Sequence, residues 1–172
     1  MKSTKKLCLG GILIALIVVL SSYCQVPLGA SIRLDIGYAV VTFAAMYMGP
    51  VFGFFIALFS RIINDLVFSG SISFWWAIGS AFFGLAIGFV YPIIAKIHNG
   101  IVKTIILAIV VTIISFVSFS GIVPIVASWV GLEYGFMLGI GVLASIADAI
   151  VALVLGYPVY KAICRITKTE HM

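Results

Sequence analysis

The sequence predicts an all-α membrane protein: a six-transmembrane-helix bundle with both termini in the cytoplasm. Composition is the first observation behind this prediction. Of the 172 residues, 64% are hydrophobic and 9% are charged, whereas soluble domains are about half apolar and a quarter charged. Length is the second, because six spans of about 20 residues account for most of a single integral membrane domain, residues 1–172.

The distribution of basic residues is the third observation, and it predicts the orientation. Cytoplasmic loops of membrane proteins are rich in Lys and Arg. Arg33 lies in the first external segment and Arg61 inside a span, while the other basic residues lie in segments predicted to be cytoplasmic. These are Lys2, Lys5, Lys6, Lys96, Lys103, Lys161, Arg165 and Lys168. Since they are spread over helix ends, they do not form the patch that nucleic-acid binding requires.

The helices follow from apolar runs and the residues that interrupt them. They are predicted over residues 7–24, 36–48, 51–68, 74–94, 104–126 and 135–163. The first follows a Lys-rich start and is expected to remain uncleaved, because no small-residue cleavage site follows it. The segment 25–35 contains Pro27, which ends the first helix. It is polar enough to be external or to fold over a site. The second helix is short for a span, and Gly49-Pro50 predicts a tight cytoplasmic turn after it.

Aromatic residues mark the predicted outer ends of the last three helices. The fourth helix opens with Trp75 and Trp76, and Trp129 and Tyr134 flank the third external loop. Trp and Tyr anchor helices at the membrane interface. They also supply flat faces for an aromatic ligand, with Arg33, Asp35 and Glu133 nearby to bind its polar edge. Both interpretations remain open.

Three ionisable residues lie inside predicted spans, where charge is costly. Arg61 and Asp65 are spaced i,i+4 and are expected to pair on one face of the third helix. Asn64 beside them extends a polar stripe. The pair is either a structural, self-neutralised unit or a ligand contact. Asp148, in the sixth helix, has no partner in its own helix, so it either meets Arg61 across the bundle or binds a substrate cation.

No enzyme or metal motif is present in the sequence. It contains no HExxH, GxSxG, Walker or Gly-rich dinucleotide signature, and its three cysteines lack metal-ligand spacing. The expectation is a protein that is not an enzyme and needs no cofactor. Gly11 and Ala15 form a small-xxx-small pair on the first helix, a pattern that lets helices approach closely in lipid.

Residues 32–92 resemble a known family. They contain IRLDIGY at the entry to the second helix, the turn YMGPVFG, an acidic residue late in the third helix and a Gly/Ala-rich fourth helix. These features are similar to the substrate-binding S components of energy-coupling factor (ECF) vitamin transporters. The length, the six helices and the internal termini match as well, and beyond the fourth helix only the topology supports the resemblance.

The resemblance implies capture of a water-soluble vitamin or precursor at the plasma membrane of a prokaryote. The pocket would lie near the outer face, closed by segment 25–35 and formed by helices 4–6. A transmembrane coupling protein and two cytosolic ATPases would then rotate the subunit to release its cargo. Gly11 and Ala15 would dock on the coupling protein, although the family usually has alanine at both places.

The candidate substrate-binding residues combine the rim and the buried acids. They are Arg33, Asp35, Asn64, Asp65, Trp75, Trp76, Trp129, Glu133, Tyr134 and Asp148. An aromatic rim with two acids favours a flat heterocycle such as a flavin, a pterin or a pyrimidine or pyridine vitamin. A pantothenate-like anion would depend on Arg33. Two alternatives remain: an ion- or proton-coupled carrier that uses Arg61, Asp65 and Asp148, and a membrane scaffold without transport.

Overall fold

The described part of this chain folds into six helices and one two-residue ladder. The computed structural model describes residues 3–24, 26–27 and 33–167. The first four helices are α1 (Ser3–Tyr23), α2 (Gly37–Met48), α3 (Pro50–Ser69) and α4 (Phe74–Ala95). Helix α5 covers Gly100–Trp129, and α6 begins at Tyr134 and ends at Thr167. Five of the described helices are long and apolar enough to cross a membrane, and α2, with 12 residues, is the short one. The predicted all-helical membrane fold is confirmed.

Two helices begin four residues earlier than the sequence predicts. Helix α1 starts at Ser3 rather than at residue 7, because Lys5 and Lys6 are good helix formers and do not end a helix. Helix α5 starts at Gly100 rather than at residue 104, because Asn99 caps it. The Asn99 Oδ1 atom accepts hydrogen bonds from the backbone N–H groups of Ile101 (3.1 Å) and Val102 (3.4 Å).

Helices α5 and α6 each contain a π-helical segment. These segments are Phe116–Ile122 and Ala152–Gly156. Each ends two residues before a proline, Pro124 in α5 and Pro158 in α6. Proline has no N–H group and its ring crowds the carbonyl four residues earlier, so the wider π turn relieves a clash that an α-helix would suffer. π-helical turns are rare and occur frequently at functional sites.

Glycines allow α3 and α4 to pack backbone against backbone. A Cβ atom on Gly53 would lie 2.6 Å from the carbonyl oxygen of Gly84, and one on Gly88 would lie 2.5 Å from the Cα atom of Pro50. Only glycine fits such approaches. Gly49, between α2 and α3, has φ +92° and makes the tight turn that the sequence predicts.

The connections divide between the two ends of the bundle. One end holds the described residues between α1 and α2 (24, 26–27 and 33–36), residues 70–73 and residues 130–133. The charge pattern predicts that this end is external, and we call it the predicted outer end. In segment 24–36, Val26–Pro27 pairs with Arg33–Leu34 as a two-residue antiparallel ladder. The other end holds Gly49, residues 96–99, the first described residue of α1, Ser3, and the last described residue of α6, Thr167.

Candidate functional site

Polar side chains, buried except for the half-buried Arg61, lie together near the predicted outer end, among α1, α2, α3 and α4. We call them the polar cluster. It comprises Ser21, Asp35, Tyr38, Ser60, Arg61, Asn64 and Ser80. They line a cavity of about 10 Å³, about the room that one water molecule needs. Polar groups inside a membrane bundle are costly and usually mark a functional site.

Asp35 is held by two donors from different elements. Its Oδ1 atom accepts hydrogen bonds from Ser21 Oγ of α1 (2.6 Å) and from the backbone N–H of Gly37 at the start of α2 (2.8 Å). The carboxylate is 8% exposed. Asp35 therefore joins the end of segment 24–36 to α1 and α2, and its charge is stabilised by donors that need no ligand.

Asp65 is also held within the chain. Its Oδ2 atom accepts a hydrogen bond from the backbone N–H of Ser73, just before α4 (3.0 Å). Its Oδ1 atom lies 3.3 Å from Arg61 Nε, at ion-pair distance but without hydrogen-bonding geometry. The predicted i,i+4 pair of Arg61 and Asp65 is confirmed. Next to it, Ser22 Oγ of α1 donates to Asn64 Oδ1 (3.0 Å), so α3 is tied to both neighbours.

Aromatic rings pack directly against the polar cluster. The Tyr38 ring meets Phe83 and Phe119 edge to face, with centroids 5.5 and 5.4 Å apart, and its hydroxyl lies 2.6 Å from Ser80 Oγ. Trp76 lies 6.1 Å from Phe119. The sequence analysis did not identify Tyr38, Phe83 and Phe119 as site residues. An aromatic residue inside an apolar helix can face either the lipid or the bundle interior, and the sequence alone does not distinguish the two.

The guanidinium group of Arg61 lies over the Trp76 ring, with 6.0 Å between Cζ and the ring centroid. This distance is typical of a cation–π contact. Trp76 thus connects the charged part of the site to the aromatic part. Trp75 next to it is half-buried, and its Nε1 atom is buried with no hydrogen-bond partner among the described residues.

Asp148 of α6 lies close to the polar cluster from the other side. It is 5% exposed and interacts electrostatically with Asp35 and Arg61. Three residues earlier, Ser145 Oγ lies 3.2 Å from Ser120 Oγ of the π-helical segment of α5, so this face of α6 faces α5. Within the part of the chain that the structure describes, the Asp148 carboxylate makes no hydrogen bond.

Other predicted rim residues lie apart from this site. Trp129 is 82% exposed, Glu133 and Tyr134 are exposed too, and none of the three lines the cavity. They occupy positions suited to interfacial anchoring. The backbone of Arg33 lies in the second short strand, and its side chain is outside the described part of the structure.

The small-residue pair of α1 faces outward. Gly11 and Ala15 are exposed, and a Cβ atom on Gly11 would meet nothing within 4 Å. The opposite face, with Leu13 and Ile17, is buried against the bundle. Among the described residues no group of three or more His, Cys, Asp or Glu side chains is placed to hold a metal ion.

Comparisons with known proteins connect this architecture to a family. The chain matches the family model for the S component of ECF-type riboflavin transporters over residues 1–165. A UPF0397 protein of Onion yellows phytoplasma (strain OY-M) is 32% identical over 92 residues, or 54% of this chain and 50% of the relative. A UPF0397 protein of Lacticaseibacillus casei (strain BL23) is 27% identical over 150 residues, or 85% of this chain and 81% of the relative.

The match to the phytoplasma relative thus spans about half of that protein's length. A solved structure, described as the S component of a bacterial ECF transporter, aligns with 94% of this chain and 99% of its own. Its TM-score is 0.55 at 23% sequence identity, which shows the shared fold. Because the family model matches almost the whole sequence, this multi-pass membrane protein belongs to the S-component family of ECF-type riboflavin transporters.

Proposed function

We propose that this chain captures a small water-soluble vitamin, or a precursor of one, at the predicted outer face and carries it through the membrane. The observation that supports this most strongly is the polar cluster. It places serine, amide, aspartate and arginine side chains inside an apolar bundle, directly beside aromatic rings. Ligand sites combine apolar and aromatic walls with a few directed polar groups. An inert scaffold has no use for such costly burial.

The cargo we propose is a flat heterocycle, and a flavin is the first candidate. Trp76 and Tyr38 offer ring faces and edges within reach of Arg61, Ser80 and Asp148. Such a site suits a ring system that stacks on aromatic side chains while its edge forms hydrogen bonds. Riboflavin, which the family description names, has this form. Since the cavity measures about 10 Å³, binding requires the side chains that line it to move apart.

The energy for uptake would come from partners. The sequence contains no Walker motif, so we propose that two cytosolic ATPases act through a transmembrane coupling protein. The outward face of α1 supports a docking role. Its residues Gly11 and Ala15 have small or no side chains. The apolar side chains of Ile12, Leu16 and Val19 beside them are exposed. Small residues on an unoccupied helix face allow a second helix to approach closely.

A vitamin panel tests the capture proposal. The purified chain in detergent is heated alone and with riboflavin, thiamine, folate, pyridoxine, biotin or pantothenate. A ligand that binds the folded state at 100 times its Kd stabilises it by about 2.7 kcal/mol. We expect a flat heterocycle, riboflavin first, to raise the apparent Tm, while biotin and pantothenate leave it unchanged. No shift with any member of the panel would contradict vitamin capture.

The main alternative is a carrier driven by an ion gradient. Its supporting observations are the Arg61–Asp65 pair and the electrostatic interaction of Arg61 with Asp148, since buried ionisable groups also form proton relays. Such a carrier would bind its cargo only together with its coupling ion. It would also work without ATPases, so uptake by the chain alone in vesicles would favour it.

A further inference from the structure

The buried carboxylates of this chain differ in what holds them. Asp35 accepts two hydrogen bonds through Oδ1, and Asp65 accepts one from a backbone N–H and lies beside Arg61. Asp148 is only 5% exposed, yet no described residue donates a hydrogen bond to it. An ionised carboxylate without a donor is among the most costly groups that a protein interior can hold.

The charges around Asp148 do not compensate for it. Among the described side chains, Asp148 interacts electrostatically with Asp35, which repels it, and with Arg61, which attracts it. Arg61 already lies 3.3 Å from Asp65. Among the described side chains, three aspartates therefore share one guanidinium group in this part of the bundle, and Asp148 is the one of the three that accepts no hydrogen bond from them.

The surroundings of Asp148 suit ligand contact. It lies on α6, one turn before the π-helical segment Ala152–Gly156, on the side that faces the other π-helical segment, of α5. Phe119, in that α5 segment, packs against Tyr38, and Asp148 acts electrostatically on Tyr38. Asp148 therefore lies near enough to the aromatic part of the site to act electrostatically on Tyr38.

We propose that Asp148 is the residue that selects the cargo, by accepting a hydrogen bond from a ring nitrogen that carries a hydrogen or a positive charge. This inference rests on the proposed capture of a heterocyclic vitamin. It specifies that the protein recognises the ring edge that carries the N–H donor. It excludes cargo that presents a carboxylate at this point, because like charges would meet in a dry site. A flavin fits through the N–H of its pyrimidine-dione ring.

The test compares the wild type with Asp148→Asn and uses riboflavin and N3-methylriboflavin as probes. Methylation removes the ring N–H and keeps the flat shape. We expect the wild type to bind riboflavin about 10- to 100-fold more tightly than the methylated analogue, the range of a hydrogen bond to a charged group. Asp148→Asn should lose a similar factor for riboflavin and discriminate less between the two probes. Equal affinities of both proteins for riboflavin would overturn the role of Asp148.

A second readout needs no ligand. Because no described residue donates a hydrogen bond to Asp148, Asp148→Asn should keep or raise the apparent Tm of the ligand-free protein, as substitutions at strained binding sites do. Asp65→Asn should lower the apparent Tm, since it weakens the bond from the Ser73 N–H. A drop for Asp148→Asn as large as that for Asp65→Asn would show a structural role and overturn the inference.

The two proposals fail in different ways. If the folded wild type binds neither probe, the proposed flavin capture is wrong, and so is the proposed hydrogen bond from the flavin ring N–H to Asp148. If the wild type binds riboflavin but Asp148→Asn loses affinity without losing discrimination, capture stands and the contact to the ring nitrogen is wrong.

Discussion

Asp35 shows how one side chain can position a loop of this protein. Its two donors come from α1 and from the first residue of α2, so the carboxylate fixes both ends of the turn into α2. Gly37 is part of the same arrangement, because a Cβ atom there would lie 2.9 Å from Asp35 Oδ1 and would also collide with Ser21 Oγ. The role that fits Asp35 best is holding the start of α2 against α1.

Removing this carboxylate should loosen the turn. Asp35→Ala leaves the Ser21 hydroxyl and the Gly37 N–H without their acceptor, and we expect a loss of about 1.5–3 kcal/mol of stability. Ser21→Ala should cost about 1 kcal/mol, and the double variant should lose less than the sum. Thermal unfolding in detergent measures all three. Fully additive losses would show that the two side chains are not coupled.

Local spacing predicted some contacts of the site and could not predict others. Arg61 and Asp65 are one helical turn apart, so their pairing follows from the sequence. The bonds from Ser21 to Asp35 and from Ser22 to Asn64 join residues 14 and 42 positions apart. Only the packing of α1 against its neighbours brings them together, and nothing in the sequence around them signals it.

At the scale of elements, the contact between α3 and α4 depends on glycine. Gly53→Ala places a methyl group 2.6 Å from the Gly84 carbonyl oxygen, so the helices must separate. Overpacking of this kind costs about 1–3 kcal/mol, and we expect a matching drop in apparent Tm. Gly139→Ala is the control, because its Cβ atom meets nothing within 4 Å; alanine there should be neutral or slightly stabilising. Equal effects would contradict the close crossing.

The number of helices could be predicted from the sequence, but the π-helical segments within two of them could not. The apolar runs and turn residues gave six helices, and Gly49-Pro50 gave the turn before α3. The π-helical segments were not foreseen, although Pro124 and Pro158 stand just after them. Proline indicates that the hydrogen-bonding register must change, but Pro92 lies inside α4 with no such segment, so proline alone does not predict one.

At the scale of the whole molecule, the outward face of α1 is expected to serve uptake and not cargo binding. Gly11→Trp should leave vitamin affinity unchanged, because the new side chain points away from the bundle, and should abolish uptake by blocking the coupling protein. Gly139→Trp on α6 is the matched control, also glycine to tryptophan into open space, and should keep both properties. Vitamin titration of the purified variants and uptake by cells with the complete transporter measure the two effects. Loss of binding by Gly11→Trp would contradict the division of roles.

The orientation of the molecule rests on its charge pattern. Lys96 and Lys103 flank the connection between α4 and α5, and Lys161 lies near the end of α6. All three are at the end of the bundle away from the polar cluster. By this prediction the site would face the outside, as capture from the medium requires, and the basic end would face the cytosolic ATPases that we propose as partners.

Titration of the purified, solitary chain with riboflavin tests the central claim most directly. The measurement is made in sodium-free buffer, without a membrane potential or a pH gradient. Our account predicts one riboflavin per chain with submicromolar Kd, unchanged when sodium is added. Binding that appears only with sodium, or no binding by a folded protein, would contradict the account.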